Sequence, residues 1–264
     1  MLRTRVLSAL VGIIILLAIA WMGGRWWQVF VVLAAGLSCR EFYMAAAAGG
    51  VKPYRILGFV ILACSLLSGL IIMPVEWLPM LLILSAVILV FTYPERSIND
   101  LAVTWLGALY LGILWSYPAR FALMDNHFAV IMMSFLLTWA GDTGAYFAGT
   151  WWGKRKLAPE LSPNKTWAGL AGGTVLTIVI ALLGIKIIPG HTVPGYILLG
   201  LLAAALGAAG DLWASAVKRY FGIKDFSQII PGHGGVLDRF DSYLLVAPLV
   251  FYFLTGTGGR VFGS

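Results

Sequence analysis

Charge is what this sequence holds least of. Asp, Glu, Lys and Arg make up 11% of its 264 residues and apolar residues 61%, against roughly 25% and 45–50% in a soluble domain. Too little polar surface remains to coat a water-soluble globule, which excludes that class. Cysteine is nearly missing as well. Cys39 and Cys64 both stand in apolar stretches and read as small buried hydrophobes, not as a disulfide or a metal pair. His233 has no second His or Cys at ligand spacing. Heptad or solenoid repeats, low-complexity tracts and a soluble domain are also lacking.

What is present is a series of long apolar runs, at 6–22, 29–48, 56–73, 77–90, 101–124, 128–149, 166–187, 195–217 and 243–255. Most approach or reach the roughly 20 residues that cross a hydrocarbon core. The fold class expected is therefore an all-α polytopic membrane protein with about nine transmembrane helices. Arg3 and Arg5 before the first run resemble the start of a signal peptide, but the second run follows almost at once, so an uncleaved span is expected. With the N-terminus placed inside, the inside loops hold thirteen of the Lys and Arg residues. The outside loops hold three: Arg25, Lys186 and Arg260. That bias puts the N-terminus in the cytoplasm and the C-terminus outside. It also accounts for the net charge of +7 as a topology signal, so no nucleic-acid partner is expected.

Ionisable residues inside spans are the informative exceptions, since each costs roughly 2.5–3.5 kcal/mol at a helix centre. Asp142, Asp211 and the pair Arg40–Glu41 all fall near the inner ends of their runs. Arg120, near an outer end, is expected to snorkel to the interface. Small residues surround the two aspartates, in Gly141-Asp142-Thr143-Gly144-Ala145 and Gly207-Ala208-Ala209-Gly210-Asp211. These either pack helices closely or leave room for a ligand.

Two inside loops are long enough to carry a site. Residues 150–166 include Lys154, Arg155 and Lys156, which serve either topology or catalysis, and then Ser162-Pro163-Asn164-Lys165-Thr166-Trp167. There Ser162, Asn164 and Thr166 surround Lys165 at the start of a helix, where backbone N–H groups favour phosphate. The glycine-rich loop of a Walker motif is absent. Residues 218–241 are denser still, with Lys218, Arg219, Lys224, Asp225, His233, Asp238, Arg239 and Asp241 among Gly232, Gly234 and Gly235. Carboxylates suit a hard Mg²⁺ ion and cations suit phosphate oxygens. The chain thus divides into N-terminal transmembrane helices, about five over residues 1–125, and a catalytic region over 126–264 with loops 150–166 and 218–241.

Residues 215–241, SAVKRYFGIKDFSQIIPGHGGVLDRFD, resemble the signature of bacterial phosphatidate cytidylyltransferases, the CDP-diacylglycerol synthases. The likeness extends to Ala140–Tyr146, Ser162–Trp167 and Gly210-Asp211-Leu212, and more loosely to Glu41-Phe42-Tyr43 and Tyr110-Leu111-Gly112. Two positions depart from the family pattern: Ala168 where Glu or Gln is usual, and Ala214 where Glu is.

The resemblance implies a multi-pass enzyme of the bacterial inner membrane, homodimeric, converting CTP and phosphatidate into CDP-diacylglycerol and pyrophosphate. Mg²⁺, with a second cation as an option, is expected on Asp211, Asp238 and Asp241, with Asp142 contributing. Lys165, Lys218, Arg219, Lys224 and Arg239 are expected to meet phosphates. His233 either donates to pyrophosphate or holds the glycine turn. Substrate contacts are expected from Ser162, Asn164, Thr166, Ser215, Gly234 and Gly235. The attacking phosphate monoester, with a second pKa of about 6, is already anionic near neutrality, so no general base is required. A CTP-dependent polyprenol or phytol kinase would share a membrane nucleotide site but not the long signature. An ion-coupled transporter would also bury acids, though the internal repeats common in transporters are not evident.

The charge bias makes a direct prediction. Single cysteines in Lys154→Cys and Lys224→Cys react with an impermeant thiol reagent only from the cytoplasmic side, and one in Gly258→Cys only from outside. Residues 154 and 224 reacting from opposite sides would overturn the topology.

Overall fold

The structure, a computed structural model, describes residues 2–70, 76–230 and 232–256, with side chains from residue 8 onward. The end of the third apolar run, Pro231 of the signature, Gly258 and Arg260 lie outside the described residues. Each apolar run yields one helix: α1 (Leu2–Met22), α2 (Gly24–Ala48), α3 (Arg55–Leu70), α4 (Trp77–Thr92), α5 (Ile98–Phe121), α6 (His127–Trp152), α7 (Trp167–Gly184), α8 (Val193–Tyr220) and α9 (Leu237–Thr255). Among the described residues, α2, α5, α6, α7 and α8 are long and apolar enough to cross a membrane, and α3 and α4 are shorter apolar helices.

The chain is mostly helical, as an all-α class requires, with one short exception. Residues 156–166 form an antiparallel hairpin of β1 (Lys156–Ala158) and β2 (Ser162–Thr166), pairing Lys156 with Thr166 and Ala158 with Ser162. Pro163 removes a backbone donor from β2, which a two-stranded ribbon tolerates at its edge. The hairpin leads straight into α7, because the Thr166 hydroxyl accepts from Gly169 N at 3.0 Å and caps that helix.

The chain forms two compact units. The first takes residues 1–16, 25–120 and 218–238; the second takes 17–24, 121–217 and 239–264. In the first, buried polar side chains tie the helices together. Trp27 Nε1 of α2 donates to Pro118 O of α5 at 2.7 Å, and Tyr43 OH to Thr104 O at 2.7 Å. Gly107 and Gly58 make room for Phe42 and Tyr43: a methyl at either would stand 2.5 Å or less from a ring or hydroxyl atom.

In the second unit the small residues pack helices, one of the two readings open from sequence. A Cβ at Gly144 of α6 would lie 2.5 Å from Gly172 O of α7, and one at Gly173 2.7 Å from Gly141 O. Backbones can approach this closely only where side chains are absent, and lipid gives helices no hydrophobic reason to associate otherwise. Along the same bundle, Thr177 Oγ1 of α7 donates to Gly200 O of α8 at 2.8 Å. Phe135 of α6 stacks on Tyr243 of α9 with centroids 4.2 Å apart. Gly210 of α8 lets α9 come near, since a Cβ there would meet Asp241 O at 2.5 Å.

Gly144→Val is therefore expected to pry α6 from α7, costing about 1–3 kcal/mol or more as overpacking does. The check is a fluorescence melt in detergent, with Gly36→Val as the control, because nothing lies within 4 Å of a Cβ at Gly36. Equal melting of the two variants would contradict the seam.

Candidate active site

Two polar clusters emerge, one in each unit. In the second unit, β2 projects Lys165 onto α8. Its ammonium lies 2.7 Å from Asp211 Oδ2 and donates to Ala208 O at 3.2 Å. Asp142 of α6 stands in the electrostatic field of Asp211, Lys165 and Arg239. Lys165 of β2 thus touches Asp211 of α8 directly, and Asp142 of α6 and Arg239 of α9 belong to the same electrostatic neighbourhood. Ser215, one turn beyond Asp211, reaches its Oδ1 with a long contact of 3.5 Å. Asn164 is exposed and Ser162 half-buried on the hairpin, while Thr166 is buried with its hydroxyl engaged in the helix cap.

In the first unit the signature loop is organised by carboxylates. Asp238, in the first turn of α9, is almost wholly buried. Its Oδ1 meets Lys218 Nζ at 2.7 Å, and its Oδ2 accepts from Phe226 N at 2.9 Å and Gly235 N at 3.0 Å. The bond to Gly235, three residues back, follows the logic of a capping box. Lys218 also stands 5.4 Å from the centroid of Phe226. Gly232 and Gly234 adopt φ of +76° and +83°, in the left-handed region that favours glycine. The turn between them is closed by His233 N to Ile230 O and Ile230 N to Gly234 O, both 2.9 Å. His233 Nδ1 contacts Ser8 Oγ of α1 at 2.9 Å.

The remaining expected residues are placed as follows. Arg219 Nη1 donates to Ile223 O at 3.2 Å and helps close the C-terminus of α8. Lys224 and Arg239 are exposed, Gly235 is buried, and Asp241 is buried with Oδ1 accepting from Ser242 N at 2.7 Å. Asp211, Ser215 and Lys218 follow one another at i, i+4 and i+7 on α8, which puts them on one helical stripe. Ala214, where the family usually has Glu, is 3% exposed, so a carboxylate there would need a buried partner of its own.

One residue to which sequence reasoning gave no role is Glu41. It is fully buried in α2, with 0% exposure. Its Oε1 accepts from Ser227 Oγ at 2.6 Å and Val236 N at 2.9 Å, and its Oε2 from Leu237 N at 2.8 Å. A Cβ at Gly235 would stand 2.7 Å from both carboxylate oxygens, so Gly235 is small because Glu41 lies against it. Glu41 thereby satisfies first-turn amides of α9, which no intrahelical carbonyl can reach, and its charge suits the positive end of that helix. The signal available in sequence was the cost of a glutamate inside an apolar run.

A hard cation would need oxygens from these clusters. Among the described residues, no three His, Cys, Asp or Glu side chains gather as a metal-holding group. Asp211 and Asp142 are nonetheless two carboxylates facing a common field with a lysine ammonium already on one of them. Mg²⁺ is commonly held by one or two carboxylates, substrate phosphates completing its shell, so this pair fits. At Asp238 both oxygens are engaged, and only Oδ1, the one facing Lys218, would be open to a cation in exchange.

The apolar helices and the polar clusters they carry define a multi-pass membrane protein. Its residues 3–256 match the Cytidylyltransferase family, and the chain belongs to that family of nucleotidyltransferases. It is 32% identical over 95% of both chains to the phosphatidate cytidylyltransferase of Synechocystis sp.. It is 39% identical to that of Bacillus subtilis, over 71% of this chain and 70% of the relative. With that of Staphylococcus haemolyticus it shares 31% identity over 94% of this chain and 97% of the relative.

The Glu41 anchor generates a prediction. Glu41→Ala leaves two buried amides and a hydroxyl without their acceptor, at about 1–3 kcal/mol for each unsatisfied group. Hydrogen exchange should then accelerate across 227–237 before the rest of the chain, and turnover should fall. Glu41→Gln retains one acceptor oxygen and should lie between parent and alanine. Unchanged exchange in Glu41→Ala would remove the anchoring role.

Proposed function

We propose that this chain transfers a cytidylyl group from CTP to phosphatidate, yielding CDP-diacylglycerol and pyrophosphate for phospholipid synthesis. The observation that carries the reading is near end-to-end likeness to a phosphatidate cytidylyltransferase, over 95% of both chains. An oxygen of the phosphatidate monoester forms a bond to the α-phosphorus of CTP. The bond from that phosphorus to the oxygen bridging to the β-phosphate breaks, and pyrophosphate departs with its electron pair.

The chain's own contribution is positioning and charge neutralisation, the main terms in phosphoryl transfer. Lys165 and Lys218 rest on Asp211 and Asp238, and in this reading they exchange those carboxylates for substrate phosphates. Arg239 in the second unit, and Lys224 and Arg219 in the first, are exposed cations, each available to phosphate oxygens. Ser162 and Asn164 sit on the hairpin beside Lys165 and would orient phosphate. Mg²⁺, held by Asp211 with Asp142, would neutralise charge on the phosphates when bound. Asp238 Oδ1, once Lys218 leaves it, is the place for a second cation. Asp241 lies one turn along α9 from Asp238, with its Oδ1 accepting from Ser242 N.

The setting proposed is the bacterial inner membrane, with nine spans, a cytoplasmic N-terminus and a homodimer as the active form. CTP then arrives from the cytoplasm, and phosphatidate from the inner leaflet.

The test uses purified protein with CTP labelled either in the cytidine or in the γ-phosphate. Cytidine label in the lipid product is expected, and γ-phosphate label is not. The reverse would indicate a lipid kinase, and counter-ion uptake by sealed vesicles without lipid product would indicate a transporter. Chelation should abolish transfer and Mg²⁺ restore it. Asp211→Asn should lower turnover by orders of magnitude while melting stays near that of the parent; near-normal turnover would sink the role of Asp211.

A further inference from the structure

The first unit contains a cavity that this chemistry does not use. It is an open groove of about 890 Å³ bounded by the 50–57 segment, α3, α4 and Arg96, within the range of roughly 300–1,000 Å³ typical of ligand sites. Its lining joins two chemistries. Three of the lining residues are cations, Lys52, Arg55 and Arg96. Others are apolar, among them Ile56, Val60, Leu81, Leu84 and Ile88, with Ile56 84% exposed.

Arg96 is fixed by its surroundings. Arg96 Nη1 donates to Lys52 O at 3.0 Å and Pro53 O at 3.2 Å, and its guanidinium lies 4.5 Å from the centroid of Tyr54. Tyr54 is buried, with its hydroxyl 2.5 Å from Thr92 Oγ1. Among the described residues, Lys52 Nζ donates to the backbone oxygen of Glu95, at 3.4 Å. Two acids are near: Glu95, exposed and next to Arg96 in sequence, and Asp100, which is buried and accepts from Lys52 N and from the amide and hydroxyl of Ser97. Both offset part of the positive charge. Lys52 and Arg55 remain exposed. A guanidinium fixed by carbonyls and ring, beside two exposed cations, is a receptor for phosphate oxygens. The apolar residues lining the same groove call for a hydrocarbon chain.

We infer that this groove is an accessory site for an acidic glycerophospholipid of the surrounding membrane. The phosphodiester sits among Lys52, Arg55 and Arg96, and one acyl chain lies along α3 and α4. Basic pockets beside membrane helices on the cytoplasmic side take acidic headgroups in this way. Residues 49–55 and 91–100 are cytoplasmic in the topology proposed above. The site is separate from the residues given roles in cytidylyl transfer and requires no turnover to be occupied.

The experiment reads lipid retention, so it stands apart from activity. Protein in dodecyl maltoside is titrated with dioleoyl phosphatidylglycerol, dioleoyl phosphatidylcholine, dioleoyl phosphatidate or inorganic phosphate. Bound lipid is counted by native mass spectrometry and stability followed by melting. The parent should retain phosphatidylglycerol in preference to phosphatidylcholine and melt higher with it. The double variant K52Q/R55Q should weaken that retention about thirtyfold, since each of the two cations near an anionic lipid surface is worth about 1 kcal/mol. K154Q/K156Q, which removes two cations from another loop, should leave it unchanged. Leu84→Trp, crowding the apolar lining, should lower retention with all cations in place.

Equal retention by parent and K52Q/R55Q would overturn the inference, as would equal loss in K154Q/K156Q. So would equal retention of phosphatidylcholine, retention of phosphatidate alone, or the same melting shift with inorganic phosphate. A change from dimer to monomer mass in Leu84→Trp would overturn it too, because the groove would then hold a second copy of the chain.

Discussion

A carboxylate taken out of water must be met by donors or cations, and this requirement organises the polar half of the molecule. Glu41, with no exposed surface, is met by two backbone amides and a hydroxyl. Asp238 is met by Lys218 and two further amides. An unpaired charge in such surroundings would cost several kcal/mol, so each bond also dictates where the chain must run. The loop after α8 packs through Phe221 and Phe226, both buried. It takes its shape from these two acids, and the left-handed glycines at 232 and 234 let it turn between them.

The second unit answers the same requirement with less enclosure. Lys165 is carried to Asp211 by a hairpin whose last residue caps α7. The hairpin's position in turn follows from the close passage of α6 and α7 across their glycines. Glycine there shortens the distance between backbones and leaves Asp142 on the face that sees Asp211 and Lys165. The ion pair is only partly enclosed, with side-chain exposures of 21% and 37%. Partly exposed pairs are weak, which makes the lysine easy to transfer to a phosphate. The enclosed pair of Lys218 and Asp238, at 12% and 4%, is better suited to holding structure, and yields one oxygen at most.

Much of the architecture was legible before any coordinate. Among the described residues each apolar run became a helix, because a chain this poor in charge has few ways to satisfy its backbone except internally. The hairpin was not legible. Strands of three and five residues, one containing Pro163, carry no periodicity, and the segment read as loop. The site was legible by residue type but not by task. Asp211 and Asp142 read as acids for Mg²⁺, and what Asp211 meets in the structure is the ammonium of Lys165. Asp238 reads the same way, yet most of its capacity is taken by amides whose positions depend on loop geometry. Glu41 stood out as a buried charge without an evident purpose, because its partners are 186 to 196 residues away in sequence.

By itself, then, the sequence determined the solvent, the helices and the family. These follow from local composition and from a signature of closely spaced residues, both readable along the chain. Tertiary structure alone decided which carboxylates are open to a cation and which hold the loop, which glycines serve packing, and that Lys52, Arg55 and Arg96 share a groove. The reason is physical: a side chain's role depends on the donors and surfaces that face it, and those come from residues far along the chain.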